Sequence, residues 1–274
     1  MLKLMYITNR PEIAQIAESA GVDRIFVDLE YIGKTERQGG MDTVQSKHTL
    51  SDIKRISDSI KTAELLVRIN PMHEATKEYC SSKEEIDISI KNGASIIMLP
   101  FFKTQYEVEK FLSYVDGRVK TMLLVETPEA VKIINDIVKL KGIDYIHIGL
   151  NDLSLGYKKK FMFELLTDGT VEKLCNKFRE SNIPYGFGGI AALHKGMIPA
   201  EMIIKEHYRL GSTCAILSRS FCNTDITNHF GIISSTFVNG IKEIRTLEME
   251  CEKHLSYFMD NKTNLDKVVR KIVK

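Results

Sequence analysis

Two acidic residues, Glu126 and Asp152, are the first in this chain whose setting suggests chemistry. Glu126 closes the apolar run KTMLLVET (120–127), and Asp152 follows a second run, YIHIGL (145–150). Such runs read as buried strands, and a carboxylate at a strand end is held in place by the sheet beneath it. A pair of carboxylates without histidine or cysteine ligands makes a hard, oxygen-rich site. It suits Mg²⁺ or Mn²⁺, with water and substrate oxygens completing the coordination. Arg68 ends another run, ELLVRIN (64–70), and would face the pair. A divalent cation beside an arginine suits a 2-keto acid: the metal takes the keto and carboxylate oxygens, and the cationic groups stabilise the enolate. The competing explanation is that Glu126 and Asp152 merely cap the helices that follow them.

The elements that must position these residues repeat along the chain. Eight apolar runs alternate with helix-period segments: LKLMYI (2–7), RIFVDLE (24–30), ELLVRIN (64–70), SIIMLP (95–100), KTMLLVET, YIHIGL, YGFGGI (185–190) and CAILSRS (214–220). Most are apolar on consecutive residues, as in strands of a parallel sheet covered on both faces. Between them, TQYEVEKFLSYV (104–115) places Val108, Phe111, Leu112 and Val115 on one helical face, and PEAVKIINDIVKL (128–140) does the same with Ala130, Ile133, Ile134 and Ile137. Thr127 and Pro128 read as N-cap and first helical residue. Gly21, Gly93, Gly142 and Gly211 sit where helices end. Eight strand–helix units predict an α/β fold, a (β/α)8 TIM barrel with extra C-terminal helices. An open doubly wound sheet is the alternative, but the first turn, YITNRPEI, lacks its glycines. Residues 1–226 are expected to form the barrel core. Residues 227–274 read as a helical segment that completes the barrel and contacts a second copy. In a barrel the strand ends carry the chemistry, which adds Asp28, Glu30, Asn70, Lys103, Asn151 and Arg219 to the polar residues of interest.

Composition removes other classes. With 38 Lys+Arg against 36 Asp+Glu there is no basic footprint for nucleic acid. No run approaches the roughly 18 apolar residues of a membrane helix, and MLKLMYITNRPE turns polar too early for a secretion signal. Five scattered cysteines without a CxxC pair argue against a disulfide framework and for a cytoplasmic setting.

Five segments together resemble one family: GVDRIFVDLE (21–30), LLVRINP (65–71), IIMLPFFKT (96–104), LLVETPEAV (123–131) and IDYIHIGLNDLSLG (143–156). In order and spacing they resemble the HpcH/HpaI aldolase and citrate-lyase β-subunit family of the pyruvate/phosphoenolpyruvate superfamily, over about 1–222. In detail they are most similar to a branch found in bacterial surface-polysaccharide gene clusters. The resemblance implies a homo-oligomeric lyase that acts on pyruvate and an aldehyde. It implies Glu126 and Asp152 as metal ligands and Arg68 as the contact to the keto oxygen. It implies backbone N–H groups of Asn151 and Asp152 as a cradle for the substrate carboxylate. Glu30 matches an acid that orients metal-bound water, and Asp28 precedes it in the same motif.

The chain departs from the family pattern at Tyr31, where the aldolase branch has a histidine, and at Leu124, where it tends to have glutamine. His48, beyond the inserted stretch IGKTERQGGMDTVQSK, is expected to be that histidine displaced, and a base near pH 7. Lys34 and Arg37 in the insertion are candidate contacts to a phosphorylated or acidic aldehyde. His73, just past strand 3, is a weaker candidate for the mouth, and His147 reads as a residue beneath the site. Phe101 and Phe102 read as pocket wall or packing, and Lys103 lies too far out for a Schiff base. Alternatives to the aldolase are a CoA-thioester lyase or hydrolase, phosphoenolpyruvate-type chemistry on the same metal, and a barrel without catalysis.

Overall fold

The computed structural model describes residues 1–34, 47–224, 226–253 and 256–274. Eight parallel strands form a closed barrel in chain order: β1 (Lys3–Ile7), β2 (Arg24–Asp28), β3 (Glu64–Arg68), β4 (Ile96–Leu99), β5 (Lys120–Val125), β6 (Tyr145–Ile148), β7 (Tyr185–Ile190) and β8 (Cys214–Leu217). The ring closes where β8 pairs with β1, Met5 opposite Ile216 and Tyr6 opposite Leu217. This is the (β/α)8 barrel that the alternation of runs predicts.

The helices are α1 (Pro11–Ser19), α2 (Leu50–Ser59), α3 (Ser82–Lys91), α4 (Gln105–Val115), α5 (Pro128–Lys132), α6 (Ile134–Ile137), α7 (Leu150–Gly156), α8 (Glu164–Thr167), α9 (Thr170–Glu180), α10 (Ala200–Leu210), α11 (Phe230–Lys253) and α12 (Tyr257–Val273). α11 packs against both α1 and α10 and so takes the eighth position of the outer ring. α12 lies over α10 and α8. Among the described residues no helix is long and apolar enough to cross a membrane.

Consecutive apolar residues in the strands serve two cores. Met5, Phe26, Leu66, Ile96, Met98, Met122 and Cys214 fill the barrel interior, while their neighbours, such as Leu4, Ile25, Val27, Leu65 and Val67, pack outward under the helices. Both faces are therefore dry, which is why the pattern does not alternate polar with apolar.

Helix termini follow the expected chemistry. Thr127 accepts a hydrogen bond from the Ala130 N–H at 3.0 Å and donates its hydroxyl proton to the Phe102 carbonyl at 2.8 Å. Gly211 caps α10 with φ +71°. One expectation changes: the stretch 128–140 is two short helices. Ile133, at φ −95° and ψ 4°, separates them. The Asp136 N–H bonds to Ile133 O, a tight three-residue turn. Ile134 and Ile137 stay buried, so the apolar face survives the break.

Candidate active site

Residues of all eight strands, or of the loops that follow them, surround one cavity of about 770 Å³ at the C-terminal mouth of the barrel. Asp28, Arg68, His48, Glu126, Asn151, Asp152 and Arg219 all line it, whereas Glu30, Asn70, His73 and Lys103 do not.

The pairing of β2 with β3 sets Asp28 directly beside Arg68. The two form a fork: Arg68 Nε to Asp28 Oδ1 at 2.7 Å and Nη2 to Oδ2 at 2.8 Å. Lys34 reaches back to Asp28 Oδ2 at 3.1 Å and to Glu30 at 3.6 Å, and Arg68 Nη1 lies 3.4 Å from Glu30. Two acids and two cations thus form one buried cluster. Burial alone would raise the Asp28 pKa; Arg68 and Lys34 outweigh it and hold the carboxyl well below the usual range. Burial likewise opposes the charge on Arg68, and Asp28 and Glu30 outweigh it and keep the guanidinium protonated.

Three expectations bear on this cluster. Lys34 lines the cavity but is 4% exposed and bound to Asp28 and Glu30, so its charge is matched within the protein. Arg37 lies outside the described residues. Glu30 is fully buried beneath the cavity wall, where it touches Arg68 and Lys34.

Glu126 and Asp152 are 3% and 7% exposed. Together they line the main cavity and a smaller one of about 260 Å³ beside Phe101 and Lys103. Glu126 Oε1 accepts the Phe101 N–H at 3.0 Å, and Phe101 takes φ +49°, the left-handed region that a bulky residue rarely adopts. From the other side Gly149 presses close. A Cβ there would lie 2.7 Å from Glu126 Oε2, so only glycine leaves the carboxylate room. Asn151 and Asp152 sit in the first turn of α7, ahead of its first helical bond, Leu153 N–H to Gly149 O.

Among the described residues no three His, Cys, Asp or Glu side chains gather in a way that could hold a metal ion. The donor set is therefore two buried carboxylates around open space. That fits Mg²⁺ or Mn²⁺ sharing its coordination with water and substrate; it does not fit an all-protein cage.

His48 stands at the rim of β2, where its Nδ1 accepts the Asp28 backbone N–H at 2.9 Å. Burial lowers its pKa, against the pull of Asp28 and Asp52. Tyr31 occupies the family histidine's place in the sequence but is half exposed and packs edge-on against Tyr79. Asn70 anchors this corner. Its Oδ1 accepts the N–H groups of Tyr31 and Ile32, while its Nδ2 binds Glu85 and Tyr79. His73 is turned away from the cavity: its two ring nitrogens lie 2.8 Å from the carbonyls of Pro71 and Cys80.

His147 forms part of the floor, its Nε2 on Gly188 O at 3.1 Å. Burial pushes its pKa down to about 4, with Arg68 and Arg24 adding to the effect. Sequence reasoning passed over Asn9, Arg10 and Lys47, which also line the cavity. The strand-end rule applied to β1 would have found the first two.

A family model described as HpcH/HpaI aldolase/citrate lyase matches residues 3–180. The chain belongs to the HpcH/HpaI aldolase/citrate lyase family. Membership implies lyase-type chemistry on a small molecule. The match runs from β1 through α9, so it includes Glu126, Asp152 and Arg68 and stops short of β7 and β8. No curated protein matches the sequence. Two solved members share the fold. An HpcH/HpaI aldolase from Desulfitobacterium hafniense DCB-2 is 16% identical with a TM-score of 0.62, over 89% of this chain and 93% of that one. An HpcH/HpaI aldolase/citrate lyase family protein from Burkholderia cenocepacia J2315 is 12% identical with a TM-score of 0.59, over 89% and 94%.

Proposed function

We propose that the protein is a divalent-metal-dependent carbon–carbon lyase that joins pyruvate to an aldehyde, or releases them from a 2-keto acid. The observation that carries this reading is the position of Arg68, locked by Asp28 and Glu30 on the same cavity as Glu126 and Asp152. Mg²⁺ or Mn²⁺ would be held by Glu126 and Asp152 and, when bound, would polarise the keto and carboxylate oxygens of pyruvate.

In the condensing direction the methyl group of pyruvate gives a proton to a solvent water in the cavity, and Arg68 stabilises the charge that grows on the keto oxygen. Its orientation is fixed beforehand by the fork to Asp28, so little reorganisation is needed during the reaction. The N–H groups of Asn151 and Asp152 hold the substrate carboxylate. The enolate carbon attacks the aldehyde carbonyl, whose oxygen gains charge and then takes the proton back from that water. His48 has its Nδ1 lone pair on the Asp28 N–H, so in the neutral ring the proton is on Nε2. We therefore assign His48 as a hydrogen-bond donor to the aldehyde oxygen, in place of the base that the sequence suggests. Glu30 and Asp28 are positioning residues for Arg68. The five cysteines are free, which suits a reducing compartment.

The test is exchange of the pyruvate methyl protons in D₂O, followed by NMR, with and without Mg²⁺ or Mn²⁺. Metal-dependent loss of the methyl signal is expected, and Glu126→Gln and Arg68→Ala should abolish it. Absence of exchange with either metal overturns the reading.

A further inference from the structure

We infer that the divalent cation reaches Glu126 and Asp152 by a passage of its own, the smaller cavity beside Phe101, apart from the mouth that admits the anionic substrate. The inference rests on the metal-dependent reading of the site and adds a second way into it.

The first observation is where the two cavities meet. Among the described residues, the main cavity and the smaller one of about 260 Å³ have only Glu126 and Asp152 in common. The rest of the smaller cavity comes from the rim of the barrel. Phe101 and Lys103 lie in the loop after β4, Thr127, Pro128 and Glu129 at the start of α5, and Leu155 and Gly156 at the end of α7. The carboxylate pair is thus a partition between two spaces. Lys103, Glu129 and Gly156 are exposed, so the smaller space opens to solvent. One water takes about 30 Å³ in the liquid, so a hydrated cation fits inside.

The second observation is charge. The main mouth carries Arg10, Lys34, Lys47, Arg68 and Arg219 against Asp28 and the carboxylate pair. Even with Glu30 beneath Arg68, its surplus is positive. It attracts a 2-keto acid and repels a free divalent cation. The smaller cavity carries Lys103 against Glu129 and the same pair, so its surplus is negative. A charged cleft with low-dielectric walls concentrates the ion of opposite sign. Anion and cation are therefore drawn to the same two carboxylates through different openings.

The third observation is that the walls are tied together. The Phe101 N–H binds Glu126 Oε1 at 3.0 Å while its backbone holds φ +49°, a strain of the kind retained at functional sites. The Thr127 hydroxyl joins the start of α5 to the Phe102 carbonyl at 2.8 Å. A Cβ on Gly156 would lie 2.5 Å from Pro128 Cδ, so α5 and α7 touch there. Lys103 Nζ stands 5.1 Å from the Phe101 ring centroid, which places the one cation of this lining beside the loop that holds Glu126.

The experiment measures metal traffic and needs no turnover. Mn²⁺-loaded protein is mixed with excess fluorescent chelator in a stopped-flow instrument, which gives the release rate. EPR of free Mn²⁺ gives the Kd, and the association rate follows from the two. Leu155→Trp, which fills the smaller cavity, should slow release and association by the same factor, about 10-fold, with Kd changed less than about 2-fold, because a passage sets the barrier and leaves the bound state alone. Lys103→Glu adds no bulk to the core. It should speed association about 3-fold or more at low ionic strength, an effect that fades near 1 M salt. Ser218→Phe, which crowds only the main mouth, should leave both rates unchanged. Wild-type association in Lys103→Glu, wild-type release in a folded Leu155→Trp, or slower exchange in Ser218→Phe overturns the inference. If Mn²⁺ binds and Glu126→Gln abolishes binding while the rates ignore the smaller cavity, the passage falls and the metal-dependent reading stands. If the wild type binds no Mn²⁺, or Glu126→Gln binds it equally well, both fall.

Discussion

Replacing Gly149 by alanine tests how tightly Glu126 must be held. The backbone there, at φ −81° and ψ 91°, suits any residue, so the only obstacle is space. An added Cβ would lie 2.8 Å from Glu126 Cβ, 2.7 Å from Glu126 Oε2 and 3.4 Å from Leu124 Cδ1. Carbon atoms rest about 3.5–4.0 Å apart, so the glutamate must retreat by about 0.7 Å or more. It would do so against Phe101, whose N–H fixes Oε1. A displacement of about 1 Å at a reacting centre costs on the order of 100-fold in rate, or about 3 kcal/mol in transition-state binding. Stability should suffer less. Overpacking costs about 1–3 kcal/mol, and the smaller conformational freedom of alanine in the unfolded chain returns about 0.4–1 kcal/mol. We expect a melting temperature lower by a few degrees, unchanged circular dichroism, roughly 100-fold slower pyruvate proton exchange and a weaker response to Mn²⁺. A variant with the wild-type exchange rate and metal dependence would refute the claim that the Gly149 contact sets the carboxylate.

Asp28→Asn should cost about 3–5 kcal/mol in urea unfolding, because Arg68 and Lys34 would share Glu30 alone in a buried site; a loss under 1 kcal/mol would mean that the cluster is wetter than its burial suggests. Thr127→Ala removes both the cap on Ala130 and the bond to Phe102, and thermal unfolding should show a loss of about 1–2 kcal/mol. The third variant concerns pH. Burial lowers His147 to about 4 and His207 to about 3, against an ordinary 6.5. Between pH 6.5 and about 4 the unfolded chain binds protons that the folded one refuses, so stability falls as pH drops through that window. The slope is about 1.4 kcal/mol per pH unit for each histidine. Unfolding free energies measured across the window should decline less steeply in His207→Gln, and an identical slope would exclude His207 as a cause.

Much of this architecture is legible in the chain because burial on both faces leaves a plain mark. Runs such as IFV and MLLV have no polar residue to alternate with, and both faces of each are dry in the structure. Glu126, Asp152 and Arg68 are legible for a related reason: in a barrel the strand direction alone puts them at one mouth. Lys34 is not. It belongs to a charged stretch that reads as solvated, and nothing in the spacing says that it folds back onto Asp28. The break at Ile133 is also silent, since a tightened turn moves the apolar face too little to disturb its period. The missing glycines of the YITNRPEI turn draw the eye to fold class, and the arginine within it goes unnoticed. Its side chain is held by Thr224 and Asn228, more than 200 residues away.

The pairing of β8 with β1 sets an order for the protein's birth on the ribosome. Every residue assigned to pyruvate precedes residue 153, yet the wall opposite them waits for Cys214–Leu217 to dock on Lys3–Tyr6. Until then a nascent chain carries the full set of reactive side chains in an open trough, with the backbone of β1 exposed along one edge. Such an edge can recruit a neighbouring chain, and long-range pairing of this kind is slow. Fragments that end before residue 214 should therefore aggregate readily and exchange no pyruvate protons. Activity would switch on late, in the single step that turns the trough into a ring.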